Sequence, residues 1–233
     1  MFNNKLFGLK FLKRTLEGVE GASVLPWKVY KKPEEFNSEH FPKAKRFLIR
    51  TNLSGNVPFG MWAVLPREDA YQNVKPVMKE MLVKWHGIPH GGEGQPYDPD
   101  SIHFIVHGVD ERKEYVANGR IYLIRNKVYF SMGKIDPEEK RFISNACFEV
   151  LDEKNRNRIL TAIKSCNLAP EQAEKVYDAI MRSYKAIAAK VAEEGFLRGK
   201  EGWDARFSIH RNKPFEIEFY DFLHIKGQPC VYP

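Results

Sequence analysis

The sequence predicts an α+β protein whose sheets are mostly antiparallel. Three observations lead to this fold class: short β-rich segments at hairpin spacing, one long amphipathic helix, and a hairpin near the end of the chain. The β-rich segments are 114–117, 121–124 and 127–132, with turns predicted at Asn118-Gly119 and Arg125-Asn126. The helix is 170–194, and the hairpin joins 205–211 to 214–222. Both hairpin arms alternate apolar with polar residues, the pattern of strands with one buried face.

The beginning of the chain predicts a helix, a strand and a second, shorter helix. Apolar residues recur at helical spacing over 5–17, and Gly18 provides a stop. Segment 24–30 has strand character, and its Pro26 predicts a position at a sheet edge. Pro33 is suited to the first turn of the short helix that follows.

The next part predicts two strands around a glycine-containing loop, then a helix and another strand. The strands are 47–50 and 61–65, and the loop between them, 52–60, is dense in turn residues. Apolar residues at spacings of three and four predict a helix over 69–85. A glycine- and proline-rich loop over 86–100 leads to a strand over 102–106, bounded by Gly108.

The composition is that of an ordinary globular protein. Of 233 residues, 43% are hydrophobic and 29% are charged, which excludes collagen-like and intrinsically disordered classes. Residues 1–13 are interrupted by lysines and match neither a secretory signal nor a membrane span. Three widely spaced cysteines favour reduced thiols over a disulfide framework. We therefore expect a cytoplasmic protein that needs no membrane partner.

The net charge of +7 has two interpretations. It could attract nucleic acid, or it could line a site for an anionic ligand such as a nucleotide phosphate. Lysine and arginine are spread along the chain among acidic residues, so charge alone does not choose between them.

The terminal hairpin carries the acidic residues that could hold a metal. Glu216 and Glu218 are two apart, so on a strand their carboxylates share a face. With Asp204 near the start of the partner arm, they could form an oxygen cage for a magnesium ion that also holds nucleotide phosphates. The alternative is a solvated sheet face, which commonly shows the same alternation.

A second candidate site is the loop between strands 47–50 and 61–65. Backbone N–H groups of the loop 52–60 could lie along a phosphate chain, with Arg50 at its base supplying a fixed positive charge. The loop matches neither a dinucleotide-binding turn nor a P-loop. A ligand-free hairpin connection is the alternative.

The order of these parts resembles the ATP-grasp superfamily. Segments 47–50, 52–60 and 61–64 look like that family's lysine-bearing strand, phosphate-covering loop and next strand, with Arg50 where the family usually has lysine. Segment 102–109 followed by 114–117 resembles its adenine-binding hinge and the Glu-led strand after it. Segment 204–218 resembles its pair of metal-binding strands, without the asparagine that usually follows the last acid.

The resemblance implies an ATP- and Mg²⁺-dependent ligase that activates a carboxylate as an acyl phosphate for attack by an amine. Each predicted role is implied by the resemblance and is assigned by position. The residues implied to bind metal are Asp204, Glu216 and Glu218. Those implied to bind the nucleotide are Arg50, Ser54, Gly55, Asn56, Val106, His107, Val109 and Glu114. Those implied to take part in catalysis are Arg50, Arg206 and Arg211. The substrate would be a small-molecule or peptide carboxylate.

The resemblance also implies a division of the chain into a reduced N-terminal lead-in and two subdomains that clasp the nucleotide. The segments are 1–45, 46–104 with the phosphate loop, and 105–233 with the carboxylate hairpin. Two other functions stay open at this point: a basic nucleic-acid-binding module, and an interaction protein that kept the fold after losing catalysis.

Overall fold

A computed structural model describes residues 5–52, 62–65, 70–86, 102–110, 115–124, 127–135, 142–196, 201–211 and 217–226. Within these ranges there are four α-helices: α1 (Lys5–Thr15), α2 (Ala70–His86), α3 (Arg156–Lys164) and α4 (Pro170–Glu193). Ten strands accompany them: β1 (Ala22–Val24), β2 (Trp27–Tyr30), β3 (Ala44–Asn52), β4 (Trp62–Leu65), β5 (His103–Asp110), β6 (Tyr115–Ile124), β7 (Lys127–Ile135), β8 (Phe142–Val150), β9 (Glu201–His210) and β10 (Ile217–Lys226). None of the described helices has the length and apolar character of a membrane span.

The chain divides into two compact units. Unit one contains Asn3–Leu6 and Leu25–Arg112, and unit two contains Phe7–Val24 and Lys113–Pro233. The chain thus changes units at 6/7, 24/25 and 112/113, whereas the division made from the sequence has boundaries at 45/46 and 104/105.

Unit one is built on a four-stranded sheet in the order β2-β5-β3-β4, with antiparallel pairing throughout the described strands. Alternate residues of β3 and β5 point to one face and form a core with α2. Phe47, Ile49, Phe104 and Val106 are fully buried there against Val74 and Met78. The amphipathic pattern of α2 thus covers one face of this sheet.

Unit two is built on a six-stranded sheet in the order β1-β10-β9-β6-β7-β8. Among the described strands only β1 and β10 run parallel. One face packs on residues of α1, α3 and α4, among them Phe11, Ile159 and Ile180. The strand residues buried in the same core include Phe207, Ile209, Ile217 and Phe219. With mixed helices and mainly antiparallel sheets, the predicted α+β class is confirmed.

Several predicted elements are confirmed. The helices over 5–17, 69–85 and 170–194 correspond to α1, α2 and α4, and Pro33 begins a short 3-10 helix, Pro33–Glu35. The terminal hairpin is the antiparallel pair of β9 and β10, and both strands extend beyond the predicted limits. β8 and α3 were not predicted. The predicted loops 52–60 and 86–100 lie outside the described residues except for their first residues, Asn52 of β3 and His86 of α2. The turn at Asn212-Lys213 also lies outside them.

Two predictions about strands are wrong, for different reasons. The single strand expected over 24–30 is two strands in different sheets, with β1 beside β10 and β2 beside β5. The turn expected at Asn118-Gly119 lies inside the continuous strand β6. A Cβ atom at Gly119 would lie 2.3 Å from Cζ of Phe207, so this glycine permits close packing and does not form a turn.

Candidate functional site

The face of the six-stranded sheet opposite the helices is polar. Along β9, Trp203, Ala205, Phe207 and Ile209 enter the core, and the residues between them point the other way. That second face carries Asp204, Arg206, Ser208 and His210. The acidic and histidine side chains are buried even though they lie on the polar face, with Asp204 1% and His210 2% exposed.

A bulge in β10 adds a second acid to this face. The register pairs Phe219 with Phe207 but Asp221 with Arg206, so Tyr220 is the extra residue. A bulge shifts the alternation of side chains by one position. Asp221 therefore lies on the polar face, where strict alternation from Glu218 would have put Tyr220.

Asp204, Asp221, Arg206 and Arg120 form what we call the Arg–Asp cluster. Arg206 Nε donates a hydrogen bond of 2.8 Å to Asp204 Oδ2, and its Nη1 lies 4.0 Å from Asp221 Oδ2. Arg120 Nη1 lies 3.9 Å from the same Asp204 oxygen and donates to the Tyr122 hydroxyl at 3.1 Å. The two arginines are direct cross-strand neighbours in the register of β6 and β9.

The environment of Asp204 opposes its ionisation. Burial raises the pKa of this carboxyl above its usual range, and the positive charges of Arg206 and Arg120 only partly offset that effect. Its second oxygen, Oδ1, is buried and accepts no hydrogen bond within the described part of the chain. A buried carboxylate oxygen without a donor is costly, so this atom is a favourable place for a cationic donor.

Glu218 belongs to a different pair on the same face. His210 Nε2 lies 3.2 Å from Glu218 Oε2, and both side chains are at most 3% exposed. The Tyr115 ring lies against the imidazole, with 4.2 Å between ring centroids. Directly opposite Glu218 in the register is Ser208, which donates a hydrogen bond of 2.8 Å to Asn118 Oδ1.

The residues predicted to bind metal are therefore spread along the sheet. Asp204 lies opposite Leu223 and Glu218 opposite Ser208, so about 13 Å of extended strand separates their backbone positions. This separation favours two different binding partners over one shared ion. Glu216 lies outside the described residues, and the described residues contain no group of three or more His, Cys, Asp or Glu side chains able to hold a metal. The three-ligand site stays a prediction.

The predicted phosphate-binding arginine lies in the sheet of unit one. Arg50 pairs with Trp62 of β4 and Ile105 of β5, one residue beyond the buried Ile49. It therefore points away from the core formed with α2. Ser54, Gly55 and Asn56 of the predicted phosphate loop, and Glu114 of the predicted hinge region, lie outside the described residues.

The predicted adenine hinge lies in the central strand β5. Val106 and His107 pair with β2 on one side and β3 on the other, and Val109 pairs with Arg46 of β3. An adenine contact at Val106 or His107 would have to replace a sheet hydrogen bond, so their nucleotide role stays a prediction. Burial, followed by the charge of Arg50, lowers the pKa of His107 to about 3, and this histidine is neutral at physiological pH.

The two predicted catalytic arginines of the hairpin occupy different settings. Arg206 is the centre of the Arg–Asp cluster, whereas Arg211 is exposed and follows the last residue of β9. The structure also adds Arg120 and His210, which the sequence analysis did not single out, and Asp221, an acid of the predicted hairpin to which it gave no role. Cross-strand register identifies Arg120 and the bulge identifies Asp221. His210 could have been recognised from its alternation with Asp204 along β9.

Comparisons with known proteins give likenesses of fold. No protein-family model and no curated protein matches the sequence. Among solved structures, the chain is similar to carboxyaminoimidazole ribonucleotide synthase from Aspergillus clavatus complexed with ATP, with 9% identity, a TM-score of 0.47 and coverage of 95% of this chain and 44% of that one. It is also similar to macrocyclase MdnC from Microcystis aeruginosa bound with precursor peptide MdnA, with 8% identity, a TM-score of 0.46 and coverage of 94% and 52%.

A third similar structure is N5-carboxyaminoimidazole synthetase from Staphylococcus aureus complexed with ADP, with 11% identity, a TM-score of 0.44 and coverage of 94% and 43%. The likeness to these three structures concerns the fold. The chain spans 43% to 52% of the length of these proteins.

Proposed function

We propose that this chain is an ATP-dependent ligase, or the nucleotide-binding part of one, that joins a carboxylate to an amine. The observation that carries the proposal is the polar face of the six-stranded sheet, where Asp204, Glu218 and Asp221 are each at most 3% exposed. Burying ionisable groups is costly, and such groups concentrate where a charged ligand binds or reacts. The order of loop, strands and carboxylate hairpin in the sequence supports the same activity.

Glu218 is a proposed ligand of the magnesium ion that accompanies the nucleotide. Magnesium in such sites is commonly held by one or two carboxylates together with the phosphates of the substrate. His210 Nε2, 3.2 Å from this carboxylate, would be its immediate neighbour when the ion is bound. When bound, the ion would neutralise phosphate charge. Glu216 is the proposed second ligand of this ion.

Basic residues would supply the remaining electrostatic stabilisation. Phosphoryl transfer depends mainly on positioning and on positive charge at the phosphate oxygens. Arg206, fixed by Asp204 and 28% exposed, is the proposed contact for the transferred group. Arg50 and the amides of Ser54, Gly55 and Asn56 are proposed to bind phosphates, and Arg211 is a second candidate cation.

Thermal unfolding of the full chain with different ligands tests this proposal. A ligand at about 100 times its Kd stabilises the folded state by about 2.7 kcal/mol, which for a chain of this size raises Tm by roughly 5 to 10 °C. We expect such a rise with ATP and magnesium, and a smaller one for Glu218→Gln. Glu171→Gln, whose side chain is 80% exposed, is the matched control and should behave as wild type.

The same experiment separates the two other functions. A nucleic-acid-binding module would be stabilised by an oligonucleotide, and the effect would fall steeply with added salt because counterions are released on binding. An inactive interaction protein would respond to neither ligand. Either result in the absence of an ATP effect would overturn the proposal.

A further inference from the structure

The Arg–Asp cluster has two residues of like charge directly opposite each other across the sheet. Arg120 and Arg206 are opposite each other in the register of β6 and β9, which places their Cβ atoms about 5 Å apart. Like charges in this position destabilise a sheet unless anions lie beside them. Asp204 and Asp221 balance the two charges, and both arginine side chains are partly exposed, at 43% for Arg120 and 28% for Arg206.

The arginines have donors to spare for an anionic group. A guanidinium carries five N–H donors in a planar fork that matches a carboxylate. The hydrogen bonds described for these side chains use Nε of Arg206, on Asp204, and Nη1 of Arg120, on Tyr122. The pair therefore offers a carboxylate two partly exposed forks on adjacent strands.

The carboxylate of Asp204, in contrast, needs a positively charged hydrogen-bond donor. Asp204 is 1% exposed, and its Oδ1 has no hydrogen-bond donor within the described residues. A singly charged ammonium group supplies a donor and a positive charge to such an oxygen. A divalent metal is less suited to this position, because the Arg206 guanidinium already lies 2.8 Å from the other oxygen of the same carboxylate.

We propose that the Arg–Asp cluster binds a zwitterionic α-amino-acid group. The carboxylate of the ligand lies on Arg120 and Arg206, and its ammonium lies on Oδ1 of Asp204. Two arginines and two aspartates give the cluster no formal net charge, which suits a neutral zwitterion. The Arg120 side chain, 3.9 Å from Asp204, turns to the ligand carboxylate as the ammonium enters.

This inference rests on the proposed function only for the role of the bound group as a substrate. Binding itself is measured on the full chain without nucleotide. Each common L-amino acid is tested separately by saturation-transfer NMR, and any that binds is compared with its N-acetyl and amide forms. We expect at least one amino acid to bind and both blocked forms to bind roughly tenfold more weakly, since each loses a charge-assisted hydrogen bond.

Variants connect the binding to the cluster. Arg120→Gln removes a partly exposed side chain and is expected to weaken binding roughly tenfold. Arg182→Gln is the matched control, because Arg182 is also 43% exposed and pairs with Glu20, a residue outside the cluster. Asp204→Asn is the second test variant, and its folding is checked by circular dichroism before binding is measured.

Three results would overturn the proposal: no amino acid binds, an N-acetyl form binds as tightly as the free amino acid, or Arg120→Gln binds as wild type. Amino-acid binding without ATP binding would remove the proposed ligase and leave this site. ATP binding without amino-acid binding would overturn the proposed amino-acid site and leave the proposed ligase.

Discussion

Replacing Phe222 with alanine tests how the hairpin of β9 and β10 is held to its helices. Phe222 is 1% exposed and stacks between two rings, with centroid distances of 4.5 Å to Phe11 of α1 and 4.7 Å to Trp203 of β9. Phe222 follows Asp221 in the sequence, and Trp203 precedes Asp204, so each of these rings is next to an acid of the Arg–Asp cluster. The stack therefore anchors the backbone that presents the acids on the opposite face.

The cost of this substitution follows from the packing. Truncating a buried phenylalanine to alanine costs about 3 to 5 kcal/mol, with the larger values where the cavity cannot collapse. Here α1 already touches the backbone of β10: a Cβ atom at Gly8 would lie 2.1 Å from the Phe222 carbonyl oxygen. The helix cannot move closer to fill the space, and two stacked ring pairs are lost at about 0.5 to 1.5 kcal/mol each. We expect a loss of about 5 kcal/mol.

Equilibrium urea unfolding followed by circular dichroism measures this loss. Phe7→Ala is the matched control, since Phe7 is only partly buried and its described ring contact is an edge contact of 5.7 Å with Phe196. We expect the control to lose about 1 to 2 kcal/mol. A loss below about 2 kcal/mol for Phe222→Ala, or one no larger than that of the control, would refute the reasoning.

Three further substitutions are predicted from single contacts. Gly119→Ala would put a Cβ atom 2.3 Å from the Phe207 ring and should cost about 1 to 3 kcal/mol by urea unfolding; a neutral effect would contradict the close packing. Tyr71→Phe removes a hydroxyl bonded to two carbonyl oxygens of segment 41–44, at 2.8 and 2.6 Å, and should cost about 1 to 3 kcal/mol, whereas a loss under about 0.5 kcal/mol would show that solvent replaces these bonds. Because burial raises the folded-state pKa of Asp204 above the unfolded value, the wild type should lose stability relative to Asp204→Asn as pH rises above about 4, the pKa of an unfolded aspartate; a stability difference that stays constant with pH would contradict the burial effect.

The elements that sequence predicted well are those with a long, regular apolar period. The stripe of α4 repeats over many turns and α2 shows the same spacing, so both could be predicted from local pattern alone. Asn118-Gly119 shows the limit of that approach. An Asn-Gly pair favours a hairpin turn, but the ring of Phe207 on a neighbouring strand takes the space beside Gly119. Such a contact depends on sheet order, which local sequence does not contain.

The candidate site was predictable only in part for the same reason. The sequence analysis named Asp204 and Arg206 as separate site residues, and the structure brings them together on one face of the sheet. The bulge that brings Asp221 to that face and the register that sets Arg120 beside Arg206 arise from pairing between strands. The prediction grouped Asp204 with Glu218 from their places on either side of the hairpin turn. In the structure, the strand register gives these two acids different basic partners, Arg206 and His210.

Calorimetric titration of the full chain with ATP tests the central claim most directly. The account predicts binding of ATP in the presence of magnesium, loss of most of that binding when the metal is chelated, and at least about tenfold weaker binding by Glu218→Gln. Glu171→Gln should bind as wild type. Absence of binding by the wild-type protein with magnesium, or equal affinities of wild type and Glu218→Gln, would contradict the assignment of this hairpin to nucleotide and metal binding.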